Sequence, residues 1–347
     1  MNKKILEQDA LEIIYDKGIP YDKLEAQTIL VTGATGLLGS AIVRSLILAN
    51  KKYNLHLQVI AVVRSKQKAE KMFDCSDKSL VLVKQDICDK FTVEYQVDYI
   101  IHGASVTNSK DFVKQPVETI KTTLKGTENI LEFAKKSHVK SVVYLSSMEV
   151  YGKISEKENP IKENQYGYID ILQTRSSYSE GKKMAECICI SYKEEYQVPI
   201  KIVRLTQIMG AGVSYEDNRV FAEFARCLKK GEDIILHTSG NTIRNCCYLT
   251  DAVRGIFYVM MKGIDGEAYN IANDKNTFSI KEMAERVCRM SQSDMKVIMD
   301  VCDEKQFGYN PEMITILDIQ KIGELGWKAQ ISLEESYHRI VSAWDEE

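Results

Sequence analysis

The longest uncharged run of the chain, 26–43, contains TILVTGATGLLGSAIV and constrains the fold more than any other segment. It opens on an apolar, β-branched stretch at 28–32, passes Gly33, Gly36 and Gly39, and continues into an apolar helical pattern. Its length would suit a membrane span, but three glycines with several Thr and Ser fit a buried strand, a tight turn and a helix better. Each glycine has a mechanical role, whether making the turn, letting the backbone approach a pyrophosphate, or letting the helix pack closely. The helix N-terminus then offers unpaired N–H groups to the phosphates. A strand before the triplet and a helix after it supply the context that makes the pattern informative. The segment therefore predicts a dinucleotide-binding unit.

Apolar runs of strand length at 28–32, 57–63, 80–84, 99–102, 141–146 and 200–205 alternate with helical patterns at 38–48, 117–136 and 177–196. Such alternation builds a doubly wound parallel α/β sheet with helices on both faces. The 347 residues read as a helical N-terminal extension (1–27), a dinucleotide-binding domain (28–207) to whose sheet 267–272 returns, and a smaller α+β lobe, mainly 208–347, opening on a helix at 219–229. Lys plus Arg (46) against Asp plus Glu (49) leave a net charge of −3, without the basic excess that a general nucleic-acid binder needs. The N-terminus has charges inside its apolar stretch and no small-residue cleavage site, so neither a signal peptide nor a membrane association is expected. Nine cysteines without paired CxxC spacing, and five scattered histidines, argue against a metal site and for reduced thiols in the cytoplasm.

The second strand, LQVIAVV, ends in Arg64-Ser65. An acidic residue there would bind ribose hydroxyls and repel a 2′-phosphate; arginine does the opposite, so NADP is favoured over NAD. Asp86 and Ile87, after the third strand, are candidates for holding the adenine. The strand SVVYLSS carries Ser146 and Ser147 to the carboxyl edge of the sheet, and YSEGK follows with Tyr178 and Lys182 one helical turn apart on one face. Tyrosine is a poor base at its ordinary pKa of about 10, but a neighbouring ammonium favours the phenolate. With a serine hydroxyl to orient the substrate oxygen, the group can take a proton from a sugar hydroxyl as its hydride leaves.

With TGATGLLG, HGAS (102–105), SSMEVYG (146–152), YSEGK, GNTIRNCCYLTDAVRG (240–255), EAYNIA (267–272) and LDIQKIGELGW (317–327), the sequence resembles the extended short-chain dehydrogenase/reductase family of nucleotide-sugar epimerases, dehydratases and decarboxylases. The resemblance implies a Rossmann domain with a smaller substrate lobe, and a triad of Ser147, Tyr178 and Lys182. It implies a nucleotide-sugar substrate and a homodimer through a four-helix bundle built from 117–136 and 177–196. Cofactor contacts are implied for Gly33, Thr35, Gly36, Leu37, Leu38 and Gly39, for Gly103, Ala104 and Ser105, and for Thr123 ahead of LKGT. Substrate contacts are implied for Gln207, Arg219 and Arg244.

Family members begin by oxidising the sugar to a 4-keto intermediate. Glu149 then favours a dehydratase or decarboxylase, in which a glutamate at this point of the motif works on the keto sugar; RSSYSEGK (175–182) resembles the decarboxylase form. Arg244 can pair with phosphate or a sugar carboxylate. Met148 replaces the aspartate acid of the dTDP-glucose dehydratases, and a thioether donates no proton. Thr123, Gln207 and Thr315 replace two common asparagines and a diphosphate-binding arginine. The alternatives are a 4-epimerase, which leaves Glu149 unexplained; an NADP-dependent keto-sugar or carbonyl reductase, which suits Arg64; and a non-enzymatic NADP sensor, which has no need of the triad.

Overall fold

The computed structural model describes residues 2–301 and 312–345. Helix α1 (Lys3–Ile14) precedes an alternating series: β1 (Thr28–Thr32), α2 (Leu37–Tyr53), β2 (Gln58–Val63), α3 (Lys66–Met72), β3 (Leu80–Lys84), β4 (Tyr99–His102), α4 (Ser109–Lys114), α5 (Pro116–Ser137), β5 (Ser141–Ser147), α6 (Ser176–Tyr196) and β6 (Ile200–Leu205). Beyond it come β7 (Gln207–Met209), α7 (Val220–Lys230), β8 (Ile234–Leu236), β9 (Ile243–Tyr248), α8 (Leu249–Lys262), β10 (Ala268–Ile271), β11 (Thr277–Ser279), α9 (Ile280–Met290), β12 (Val297–Met299), β13 (Ile314–Thr315), α10 (Gln320–Glu324) and α11 (Leu333–Ala343).

Seven strands form one parallel sheet in the order β3-β2-β1-β4-β5-β6-β10. Alternate strand residues feed opposite faces: Ile29, Val31, Val59 and Val143 pack with α2 and α8, whereas Leu30, Ile60 and Val142 pack with α5 and α6. The order reverses between β1 and β4, and in open α/β sheets the crevice at the carboxyl ends there receives ligands. The remaining described strands pair around β9, with β7, β11 and β13 beside it, and β8 pairs with β12. Phe221, Phe224, Met283 and Tyr337 fill the core of this second layer.

Helix α8 was not legible as a helix in the motif GNTIRNCCYLTDAVRG, yet it lies buried under the central sheet along almost its whole circumference. The N-terminal extension packs on α2, α8 and α11. Asp9 is 2% exposed and accepts hydrogen bonds from Arg339 (2.9 Å) and Tyr248 (2.8 Å), and Glu12 accepts from Arg339 (2.8 Å) and Thr250 (2.7 Å). Among the described residues no helix is long and apolar enough to cross a membrane, and eight cysteines are free thiols.

Candidate active site

The turn after β1 is as tight as its glycines demand. Gly33 has φ +70°, and a Cβ there would lie 2.8 Å from the Gly103 backbone; at Gly39 it would lie 2.2 Å from the Gly33 carbonyl oxygen. The result is a smooth backbone cradle leading into α2, whose N-cap Gly36 provides no side-chain cap for the first N–H groups. His102 braces this turn from below: its Nδ1 lies 2.7 Å from Thr32 Oγ1 and its Nε2 3.2 Å from Thr127 Oγ1. Burial pushes the imidazole pKa down to about 3, so it is neutral. The cradle has the shape and donor chemistry that a dinucleotide pyrophosphate requires.

Every candidate site residue except Thr123 lines one cleft of about 730 Å³ at the carboxyl ends of the strands. The cradle residues and Arg64, Asp86, Ile87, Gly103, Ala104 and Ser105 line it together with Ser147, Glu149, Tyr178, Lys182, Gln207, Arg219 and Arg244. Thr123 is instead turned into α5, its hydroxyl donating to the Thr119 carbonyl (2.9 Å), and its neighbour Thr122 faces the cleft. A helical neighbour is rotated by about 100°, so one position decides which side chain reaches the cleft.

Tyr178 and Lys182 share the inner face of α6. Burial drives the Tyr178 phenol pKa well above its ordinary value, and the Glu149 charge adds to this; a hydrogen bond with Ser147 and the charges of Arg175 and Arg219 oppose it. Lys182 donates to the Leu145 carbonyl (2.7 Å), and burial brings its pKa down to about 8 against the raising influence of Glu186. Glu149 is not a free carboxylate. Arg175 donates to both its oxygens (2.7 and 2.8 Å), and Ser179 adds a third bond at 2.9 Å. No local spacing signals the pairing with Arg175, twenty-six positions away. Phe112, whose ring stacks on Tyr178, belongs to no motif.

Arg219 is held by Asp217 (2.8 and 2.9 Å). Arg244 is different: its buried Nε meets no hydrogen-bond partner among the described residues. Burial pushes its pKa down, Cys246 and Glu149 oppose this, and Arg175 adds to it. A buried N–H without an acceptor is costly, and an anion entering the cleft would relieve the cost.

The sequence pattern of the NAD dependent epimerase/dehydratase family matches residues 29–272. The chain belongs to this family. UDP-glucuronic acid decarboxylase 6 of Arabidopsis thaliana is 30% identical over 88% of this chain and 85% of its own length. The dTDP-D-glucose 4,6-dehydratase of Bos taurus is 25% identical over 92% of this chain and 89% of its own. In structure, the UDP-glucose 4-epimerase of Thermotoga maritima aligns over 92% of this chain and 98% of its own with a TM-score of 0.77 at 23% identity, which reflects a shared fold. As a member of the epimerase/dehydratase family the chain is an enzyme, and its central sheet is the family's Rossmann architecture.

Proposed function

We propose that this enzyme decarboxylates a nucleotide-linked hexuronic acid through a transient 4-keto sugar. The observation that carries the reading is the buried, unpartnered Nε of Arg244 on the wall of the cleft that holds Ser147, Tyr178 and Glu149. A sugar carboxylate is the anion that would satisfy it. Met148, which cannot donate a proton, weighs against dehydration. The Arabidopsis decarboxylase, at 30% identity, supports the same substrate class.

Gly33, Gly36 and Gly39 hold the cofactor's pyrophosphate, and Asp86 and Ile87 border its adenine. Arg64 at the end of β2, with Lys68 beside it in the cleft, supports a 2′-phosphate and hence NADP. A nicotinamide held there would supply the acceptor for the hydride from the sugar C4 and the donor for its return. Ser147 orients the 4-oxygen, Tyr178 takes its proton and later gives it back, and Lys182 favours the phenolate. Once C4 is a ketone, the carboxylate at C6 is β to it. The C5–C6 bond then breaks, its electron pair enters the enolate, carbon dioxide leaves, and C5 takes up one proton. Arg244 orients the carboxylate, and Glu149 is the second acid–base group, handling the C5 proton. Gln207 and Arg219 contact the nucleotide-sugar.

The exposed Val117 and Ile120 on α5 and Met184 on α6 support a homodimer through a four-helix bundle, and free thiols support a cytoplasmic setting. The division into a cofactor domain at 28–207 and a substrate lobe mainly at 208–347 follows the same reading. The experiment is incubation with UDP-, dTDP-, GDP- and CDP-linked hexuronic acids and their neutral hexose counterparts, with product masses followed. Loss of carbon dioxide from a hexuronic acid is expected. Unchanged mass with a new chromatographic peak would instead identify an epimerase, and loss of water a dehydratase.

A further inference from the structure

Phe112 sits on α4, in a stretch between HGAS and α5 that no motif claims. Its ring is parallel to that of Tyr178, with centroids 4.2 Å apart and planes 8° apart. The same ring receives the Arg175 guanidinium at 4.8 Å from its centroid. Ser177 Oγ donates to the Phe112 carbonyl at 3.0 Å, so a side chain of α6 ties the Phe112 backbone beside the stacked rings. Arg175 in turn holds both oxygens of Glu149. One buried side chain, 3% exposed, therefore touches Tyr178 and the cation that holds Glu149.

We propose that Phe112 is a positioning residue for both acid–base groups of the reaction: its stack fixes the Tyr178 ring, and its contact with Arg175 fixes the Glu149 carboxylate. The inference rests on the roles given above to Tyr178 and Glu149. The physical basis is rotamer freedom. A tyrosine on a helix face swings about χ1, and a flat ring packed against it closes one side of that swing. Arginine has a long flexible stem, and aromatic packing selects the rotamers that present its fork to the carboxylate. Proton transfer needs heavy atoms within hydrogen-bond reach, and small misplacements carry large rate losses. A residue that merely walls the cleft would act differently: its loss would weaken binding and leave the rate of the bound complex intact.

The test uses the cofactor-loaded enzyme and Phe112→Leu, Phe112→Tyr, Arg175→Met and the Phe112→Leu/Arg175→Met double variant. Turnover is followed with whichever nucleotide sugar the wild type converts. Failure of the wild type to release carbon dioxide thus overturns the decarboxylase reading by itself, and the comparison among variants stands apart from it. Phe112→Leu is expected to lower kcat by roughly 10- to 100-fold with KM within about threefold, at an unchanged melting temperature. Phe112→Tyr, which keeps the stack, is expected to recover kcat to within about threefold. The losses from Phe112→Leu and Arg175→Met are expected to overlap in the double variant rather than multiply. Wild-type kcat in Phe112→Leu, a rise in KM alone, a Phe112→Tyr variant that folds and binds cofactor yet is equally slow, or fully multiplicative losses would each overturn the proposal. The stack is also read without turnover. Ring-current-shifted Phe112 resonances in the labelled enzyme are expected to collapse in Tyr178→Leu, and unshifted resonances in the wild type would overturn the geometry.

Discussion

Asp9→Asn tests how the N-terminal extension is held. Burial, with a smaller push from the Glu12 charge, raises the Asp9 carboxyl to about 6 from an ordinary 3.8, although Tyr248 and Arg339 both pull it down. The difference is about two pKa units, and at about 1.4 kcal/mol per unit it amounts to about 3 kcal/mol. A carboxyl whose pKa is higher in the folded state holds its proton more tightly there. Its favourable contribution is complete below about pH 4 and is lost as pH rises through about 6. Asparagine can still accept from Tyr248 and has nothing to titrate, while Arg339 keeps Glu12 and Glu335. Urea unfolding of wild type and variant from about pH 4 to about pH 8 isolates this one group as the difference between the two curves. Relative to wild type, the variant is expected to gain about 2–3 kcal/mol across that range, most of it between about pH 4 and pH 6. A difference that is flat in pH, or a variant that loses ground as pH rises, would overturn this expectation. It would mean that Arg339 holds Asp9 ionised and that the buried pair is a net anchor.

Tyr178→Phe removes one oxygen from an otherwise intact ring. Circular dichroism and cofactor binding are expected to be unchanged and kcat to fall roughly 10²- to 10⁴-fold in a turnover assay. Gly39→Ala brings a methyl group to 2.2 Å from the Gly33 carbonyl oxygen, so fluorescence titration is expected to show cofactor affinity reduced by at least about tenfold. Arg244→Met replaces a half-buried guanidinium, whose Nε has no partner among the described residues, with an apolar side chain of similar length. Its melting temperature is expected to be equal to or above that of wild type, while turnover of hexuronic acids is lost.

The glycine turn after β1 was legible because its cause is local. Gly33, Gly36 and Gly39 are needed within one turn, and Arg64 and Asp86 follow strands that read as continuous apolar runs. The parallel sheet followed from the same runs alternating with helical patterns, whereas the order of its strands is seen only in the structure. Helix α8 escaped because it follows β9 directly, Leu249 after Tyr248, with no turn residues to mark where strand ends and helix begins. The Glu149–Arg175 pair and the Phe112–Tyr178 stack join residues 26 and 66 positions apart, and neither spacing leaves a mark in a single sequence. At Thr123 the motif marks the position, and the helix phase turns its hydroxyl to the Thr119 carbonyl while Thr122 faces the cleft. The docking of α1 depends on Asp9, Glu12 and Arg339 meeting across more than three hundred residues.

Three linked events define the proposed reaction: C4 is oxidised transiently, carbon dioxide leaves, and the same hydride returns. A nucleotide-linked hexuronic acid carrying deuterium at C4, converted by enzyme with a single equivalent of bound cofactor and analysed by mass spectrometry, tests all three at once. The expected product has lost carbon dioxide, retains the deuterium, and forms over many turnovers without net cofactor consumption. A product that keeps its carboxylate, or cofactor consumed in step with product, would contradict this reaction course.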